Sequence, residues 1–252
     1  MSNDTQLSLI VTYRSRESHL RTQIAWWKMQ INLGKLSDCE VVVVEADEIP
    51  SDWIQEEIYG TNIQYVHLPC VGVFHKTQAL NLGLALARGE FVAPFDVDLI
   101  PVGDTLAQHL QMAELSPHLL MTGYRVMSNS ETVDVDNIQA VLEQTFIAPE
   151  DMPTAVWKHL IRRERFGVVP LFKRDRLIEI GGWDEAFVGW GGEDQDIMER
   201  YLRDGYFLCR SPELVYLHLF HEPNKQWAEA ELVEENRNHY YAKMNSRQKD
   251  SS

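Results

Sequence analysis

Four short clusters in this sequence carry side chains whose types and spacing suit catalysis or ion binding. The first is Asp96-Val97-Asp98, set between FVAPF and LIP. In extended backbone, residues i and i+2 share a side, so two carboxylates emerge together at the carboxyl end of an apolar strand. Open α/β sheets bind ligands at that end. Paired carboxylates suit a hard divalent cation such as Mn²⁺ or Mg²⁺. A plain turn after a strand also favours Asp, but the apolar flanks force this pair to the rim of a core. The second cluster is GGWDEAFVGWGGEDQD, residues 181–196. Gly189, Gly191 and Gly192 surround Trp190 and permit backbone that other residues avoid, which suggests a mobile loop carrying an aromatic platform for a sugar face. Glu193, Asp194 and Asp196 then open a helix. Acids there also simply meet the helix dipole; the functional reading makes Asp194 a catalytic base.

The third cluster is His218-Leu219-Phe220-His221 at the close of a strand pattern. Residues i and i+3 of a strand face opposite ways, so the two imidazoles converge only if the strand ends and turns there, which nearby Pro223 allows. Two imidazoles with a carboxylate form a common divalent-metal set. With nine His in the chain, two unrelated histidines are the rival reading. The fourth cluster is Thr12-Tyr13-Arg14-Ser15-Arg16 after the first strand, with Lys76 opening a later helix. Guanidinium groups and helix N-termini both suit phosphate oxygens. Solvated surface is the usual fate of such residues; a shared sheet edge with Asp96 and Asp98 is what sets these apart. The chain has no G-x-G-x-x-G, no phosphate-binding G-x-x-x-x-G-K-[ST], no nucleophile elbow and no H-E-x-x-H.

These clusters need elements to position them. Apolar periodicity predicts strands over 7–13, 40–45, 63–68 and 90–95, alternating with helices over 16–33, near 50–60 and over 76–88. Four consecutive valines, Val41 to Val44, mark a strand buried on both faces. This β-α-β-α-β-α-β order implies a parallel sheet with right-handed crossovers. Beyond it the pattern is less regular. Helices are expected over 103–115, 135–145, 153–163, 174–180, 193–203 and 225–243, with strands over 119–126, 167–172 and 213–219. A polar loop falls at 128–134 and a frayed tail at 244–252. The simplest organisation is one domain, with a nucleotide-type half over 1–103 first and a less regular half over 104–243 after it.

The 252 residues carry a formal net charge of −15 and a pI near 5.0. That charge argues against a general nucleic-acid or membrane-surface binder, which needs a basic face. An anionic ligand must then be held by a local basic cluster or a bound cation. Cys39, Cys70 and Cys209 are odd in number and widely spaced, indicating neither a disulfide framework nor a zinc site. With a polar start and no run of apolar residues long enough to span a bilayer, the expectation is a cytoplasmic protein.

Taken together, the motifs resemble the inverting, metal-dependent glycosyltransferases of the GT-A fold. The likeness is greatest to β-1,4-galactosyltransferases and bacterial chondroitin-polymerase-like enzymes. It rests on TYRSRESHL, on KTQALNLGLALARGEFVAPFDVDLIP and on FGVVPLFKRDRLIEIGGWDEAFVGWGGEDQDIMERYL, and it covers most of the chain. The resemblance implies an α/β GT-A fold with a mostly parallel central sheet flanked by helices. It implies Asp98, His218 and His221 as ligands of Mn²⁺ or Mg²⁺, with Asp96 near the ribose or a metal-bound water. Thr12, Arg14, Arg16 and Lys76 would meet the nucleotide, and Glu45 or Asp47 would lie near uracil and ribose. Gly167, Trp190 and Gly192 would approach the transferred sugar and its diphosphate. Glu193 and Asp194 would face the sugars, with Asp194 as general base. Gln195 departs from the galactosyltransferases, which carry another acid there. The implied partners are a UDP-sugar donor, bearing galactose or N-acetylgalactosamine, and a glycan acceptor. Two rival readings are a sugar-nucleotide hydrolase or pyrophosphorylase, and a non-catalytic carbohydrate-binding module.

Overall fold

The computed structural model describes residues 5–127, 133–144, 168–221 and 230–249. Gly167, the helix expected over 153–163 and most of the loop expected over 128–134 lie outside them. The first half follows the alternation in the sequence: β1 (Leu7–Tyr13), α1 (Glu17–Asn32), β2 (Cys39–Asp47), the single turn α2 (Ile54–Glu57), β3 (Ile63–Pro69), α3 (Lys76–Leu86) and β4 (Phe91–Asp96). These strands pair in parallel in the order β3-β2-β1-β4. The order reverses between β1 and β4, so a crevice opens at their carboxyl ends, the usual ligand position in such sheets. Register puts Thr12 beside Asp96 and Tyr13 beside Glu45. The four valines of β2 are all buried. Leu7, Leu9, Val11 and Tyr13 of β1 pack with Leu20, Ile24 and Trp27 of α1 on one face, whereas Ile10 packs with Leu80 and Leu84 of α3 on the other. A strand that reads as continuously apolar thus serves two cores, one on each side of the sheet.

The second half is mixed: β5 (Leu99–Pro101), α4 (Thr105–Leu115), β6 (Leu119–Met127), α5 (Ile138–Gln144), β7 (Val168–Lys173), α6 (Arg174–Glu179), α7 (Glu193–Tyr201), β8 (Phe207–His218) and α8 (Ala230–Lys249). The sheet continues as β4-β7-β6-β8-β5. β7 runs antiparallel to β4 and β6, β8 parallel to β6, and β5 antiparallel to β8. β5 was not expected, because three residues are too few to show a period. β8 begins at Phe207 rather than at 213, since Arg210 and Pro212 disguise its first half. Its register against β6 shifts between Thr122 and Tyr124, and Pro212 falls in that irregular stretch, where a ladder donor is dispensable. Gly123 lies at the same shift; a Cβ there would meet the Tyr216 ring at 2.6 Å and Leu214 O at 2.8 Å. At the C-terminus, α8 continues through Lys249, into the stretch expected to fray. No helix among the described residues is long and apolar enough to cross a membrane. Cys39, Cys70 and Cys209 are free.

Candidate active site

β4 ends at Asp96, and the chain turns at once into β5. Gln23 of α1 fixes that turn from below, its Nε2 donating to Asp96 O at 3.0 Å and Leu99 O at 2.9 Å. Leu99 pairs with His218 across the β5–β8 ladder, and Leu219 N donates to Asp98 O at 2.7 Å. The pairing draws the end of β8 onto the acidic turn, and the chain bends beyond His218. Asp98 Oδ1 then lies 3.4 Å from His218 Nε2, and Asp98 Oδ2 lies 3.2 Å from His221 Nε2. The two imidazoles do converge, as the strand-end reading required.

Asp98, His218 and His221 each offer a ligand atom, all within 4.8 Å of one another. Asp98 is only 2% exposed. Its Oδ1 and His218 Nδ1 are buried atoms without a hydrogen-bond partner, which in a native fold calls for an explanation. A borderline nitrogen and oxygen donor set with buried lone pairs to spare fits a divalent cation. Arg16 contributes positive charge to the same spot, ion-paired to Asp98 Oδ2 and 3.4 Å from His221 Nδ1. Burial would push the Asp98 carboxyl up, but the His221 contact and the His218 and Arg16 charges outweigh it and hold it low. Burial holds His218 below the usual imidazole range.

Across the cleft, Lys76 opens α3 among three carboxylates. Its Nζ is 3.4 Å from Asp96, 3.6 Å from Glu193 and 3.8 Å from Asp194. Burial disfavours the ammonium, yet Asp194, Asp96 and Glu193 together raise its pKa, so Lys76 stays charged. Arg125 of β6 adds a contact of 3.0 Å to Asp96. Asp96 is held well below the carboxylate range, the Lys76 and Arg125 charges overcoming desolvation. Glu193 goes the other way: burial, then the Asp194 charge, push it up to about 7. Its Oε2 accepts from Gly191 N at 3.0 Å. Asp194 is 42% exposed and faces the opening. Two adjacent carboxyls in such different surroundings are the arrangement that separates acid from base roles.

A cleft of about 510 Å³ unites these groups. Thr12, Arg14, Arg16 and Lys76 line one part, Asp96, Asp98, His218 and His221 another, and the exposed Trp190 and part-exposed Asp194 a third, with the buried Glu193 between them. Trp190 is 62% exposed, as a stacking platform must be. Three expected residues stand back from the walls. Glu45 is buried, with its oxygens taken by Ser51 N at 2.9 Å, Ser51 Oγ at 2.5 Å and Tyr65 OH at 2.5 Å. Asp47 accepts from Ser15 Oγ at 3.1 Å and lies 3.4 Å from Arg14 Nε. Gly192 caps α7 at φ +89°. Arg14 lines the cleft but spends two nitrogens on Cys70 O and Gly72 O, each at 2.8 Å, so it also braces the loop after β3. Phe74, Val97 and Arg125 line the cleft too and escaped the sequence reading. The one signal for Arg125 was a lone charge inside an apolar strand.

Comparison with known proteins bears on the family and the fold. Residues 8–181 match the family described as Glycosyl transferase family 2, and residues 156–222 match the one described as the N-terminal domain of galactosyltransferase. Human chondroitin sulfate N-acetylgalactosaminyltransferase 1 is 33% identical over 81 residues, 32% of this chain and 14% of that protein. Human chondroitin sulfate N-acetylgalactosaminyltransferase 2 is 30% identical over 152 residues, 59% of this chain and 27% of that protein. The chain therefore spans well under a third of these relatives. A mannosyltransferase from Pyrobaculum calidifontis, solved with GDP-Man and Mn²⁺, shares the fold with a TM-score of 0.53 at 20% identity, covering 84% of this chain and 56% of that one.

Proposed function

The chain belongs to glycosyltransferase family 2, and on that premise we propose that it moves galactose or N-acetylgalactosamine from a UDP-sugar to a glycan hydroxyl with inversion. The observation that carries this reading is the convergence of Asp98, His218 and His221 with Asp194 and Trp190 on one cleft. The donor sugar is suggested by the names of the curated relatives. The first hundred residues would then hold the nucleotide, and the remainder the acceptor and the chemistry.

In this reading Asp98, His218 and His221 hold a Mn²⁺ or Mg²⁺ ion, which supplies Lewis-acid stabilisation of a diphosphate leaving group. Thr12 and Arg16 contact the nucleotide diphosphate, and Arg14 fixes the loop beside it. Asp96, kept ionised by Lys76 and Arg125, accepts from the ribose. Trp190, which the resemblance sets against the transferred sugar, is exposed on the lining of the cleft and stacks instead on the face of the acceptor sugar. Asp194 accepts the proton of the acceptor hydroxyl as its oxygen bonds to that carbon. The bond to the diphosphate breaks on the opposite face, and its electron pair leaves with UDP. Charge building on the departing oxygen meets fixed positive groups in a partly dry cleft, where they act strongly. Glu193, pushed up to about 7 by burial and the Asp194 charge, carries its own proton part of the time near neutral pH.

A UDP-release screen with UDP-galactose and UDP-N-acetylgalactosamine, in Mn²⁺, Mg²⁺ or EDTA, tests the reading. Release should require a glycan acceptor and a divalent ion, and Asp194→Asn should lower it by about 10²-fold or more while UDP still binds. Free sugar or sugar 1-phosphate as the main product would replace the transferase reading with a hydrolase or a pyrophosphorylase. Sugar binding that survives EDTA without any UDP binding would leave only a binding module.

A further inference from the structure

Helix α8 lies beyond both matched segments, which end at residues 181 and 222, yet it is fastened to the rim of the cleft. Asn236 is 3% exposed and makes three hydrogen bonds with the backbone of the Trp190 loop. Its Oδ1 accepts from Val188 N at 3.2 Å, and its Nδ2 donates to Val188 O at 2.8 Å and Trp190 O at 3.0 Å. One turn on, His239 Nε2 is 2.9 Å from Asp184 Oδ2, and its ring meets Phe187 edge-on at 4.8 Å. Lys243 binds Asp184 and lies 2.9 Å from Asp196. Residues 236, 239 and 243 share one helical face, so α8 is held along two turns to the block that carries Asp194.

The loop needs such an anchor. Gly189, Gly191 and Gly192 all have positive φ, so it has no regular ladder of its own. Most of the Trp190 ring is in solvent, so ring packing does not fix it either. The backbone of Gly189 gains one further bond, to Phe74 O at 3.3 Å.

We propose that Asn236 is a positioning residue that holds Trp190 at the mouth of the cleft and thereby sets affinity for the acceptor sugar. The inference rests on the reading of Trp190 as a sugar platform. Its mechanism is local: an amide satisfied by backbone groups at 188 and 190 fixes the one stretch whose glycines leave it free. Without that amide, two part-buried carbonyls and one N–H lose their partner, and the platform samples other positions.

The test compares wild type with Asn236→Ala and Asn236→Asp. The second variant keeps the size and the acceptor but loses both donors, and it serves if the first folds poorly. Hydrogen exchange on the free protein should quicken about tenfold in the peptide spanning 186–194 and stay unchanged in β1 and β2. Acceptor KM should rise about tenfold while UDP-sugar KM and the cation requirement move less than about twofold. A merely structural loss would quicken exchange everywhere and move both KM values together. Unchanged exchange over 186–194, or an unchanged acceptor KM in a folded variant, overturns the proposal. Absence of transfer by the wild type falls instead on the functional reading, and the exchange comparison then decides the clamp.

Discussion

Lys76 is the residue on which the electrostatics of the cleft turn. One ammonium sits within 3.8 Å of Asp96, Glu193 and Asp194, and without it those carboxylates face one another across a few ångströms. Breaking a buried ion pair by removing one partner typically costs about 3 kcal/mol or more, because the remaining charges stay buried. Lys76→Met should therefore destabilise the fold by about that amount, with Asp96 partly protected by Arg125. The loss should depend on pH. Carboxyls deprived of their cation titrate higher in the folded chain than in the unfolded one, so the folded chain binds the extra proton and stability falls as pH rises. The gap in urea midpoint between wild type and variant should widen from pH 5 to pH 8. A constant gap would mean that Lys76 contributes packing rather than charge.

At the scale of elements, α3 carries Lys76 to the site, and its seating on β1 depends on Gly83. A Cβ at residue 83 would lie 2.2 Å from Ile10 Cγ2. Ile10 is β-branched and fully buried, so it has nowhere to move. Alanine gains about 1 kcal/mol in helix propensity over glycine, whereas overpacking a core costs about 1–3 kcal/mol. At so short a distance the steric cost wins, and Gly83→Ala should lower stability by about 1–2 kcal/mol. Combining it with Ile10→Ala should cost less than the sum of the two single changes, as denaturant midpoints would record. The same elements mark how far the sequence could be read. β1 to β4 were legible because each carries a full apolar period and a glycine or polar break. The acidic pair was legible because two carboxylates between LIP and FVAPF need polar partners to sit at the edge of a core, although Asp98 proves buried there. Arg125 was not, since only the pairing of β6 with its neighbours brings it to Asp96. Asn236 was not, because one polar residue on a polar helix has no signature until the loop it binds is in place. Glu45 shows the converse: an acid at the right strand end whose oxygens go to Ser51 and Tyr65.

For the molecule as a whole, the net charge of −15 is reconciled with an anionic donor by locality. Arg14, Arg16, Lys76 and Arg125 line one cleft beside Asp96, Asp98, Glu193 and Asp194, so a cation held by Asp98, His218 and His221 would supply the local positive excess. Global stability should carry a separate signature from His109, buried between Tyr216 OH at 2.8 Å and Met121 O at 3.0 Å. Burial pushes this imidazole down to about 4 from 6.5. A folded-state pKa below the unfolded one means that the unfolded chain takes up the proton first. Stability is therefore full above pH 6.5 and is lost as pH falls toward 4, by up to about 3 kcal/mol. His109→Gln should flatten that part of the stability profile, and a slope unchanged between pH 6.5 and pH 4 would assign it to other groups.

The short ladder between β5 and β8 has a consequence for how the protein comes into being. Leu99 and His218 are zipped together across more than a hundred intervening residues, and closing so long a loop is among the slow steps of folding. The parallel half can form its strands and its acidic turn well before that, but Asp98 then has no imidazole to meet. At the proposed metal site, competence for a cation would await this closure. An ion held by Asp98, His218 and His221 would draw its affinity from this closure and tighten it in turn, so that binding the ion and closing this seam would be one coupled event.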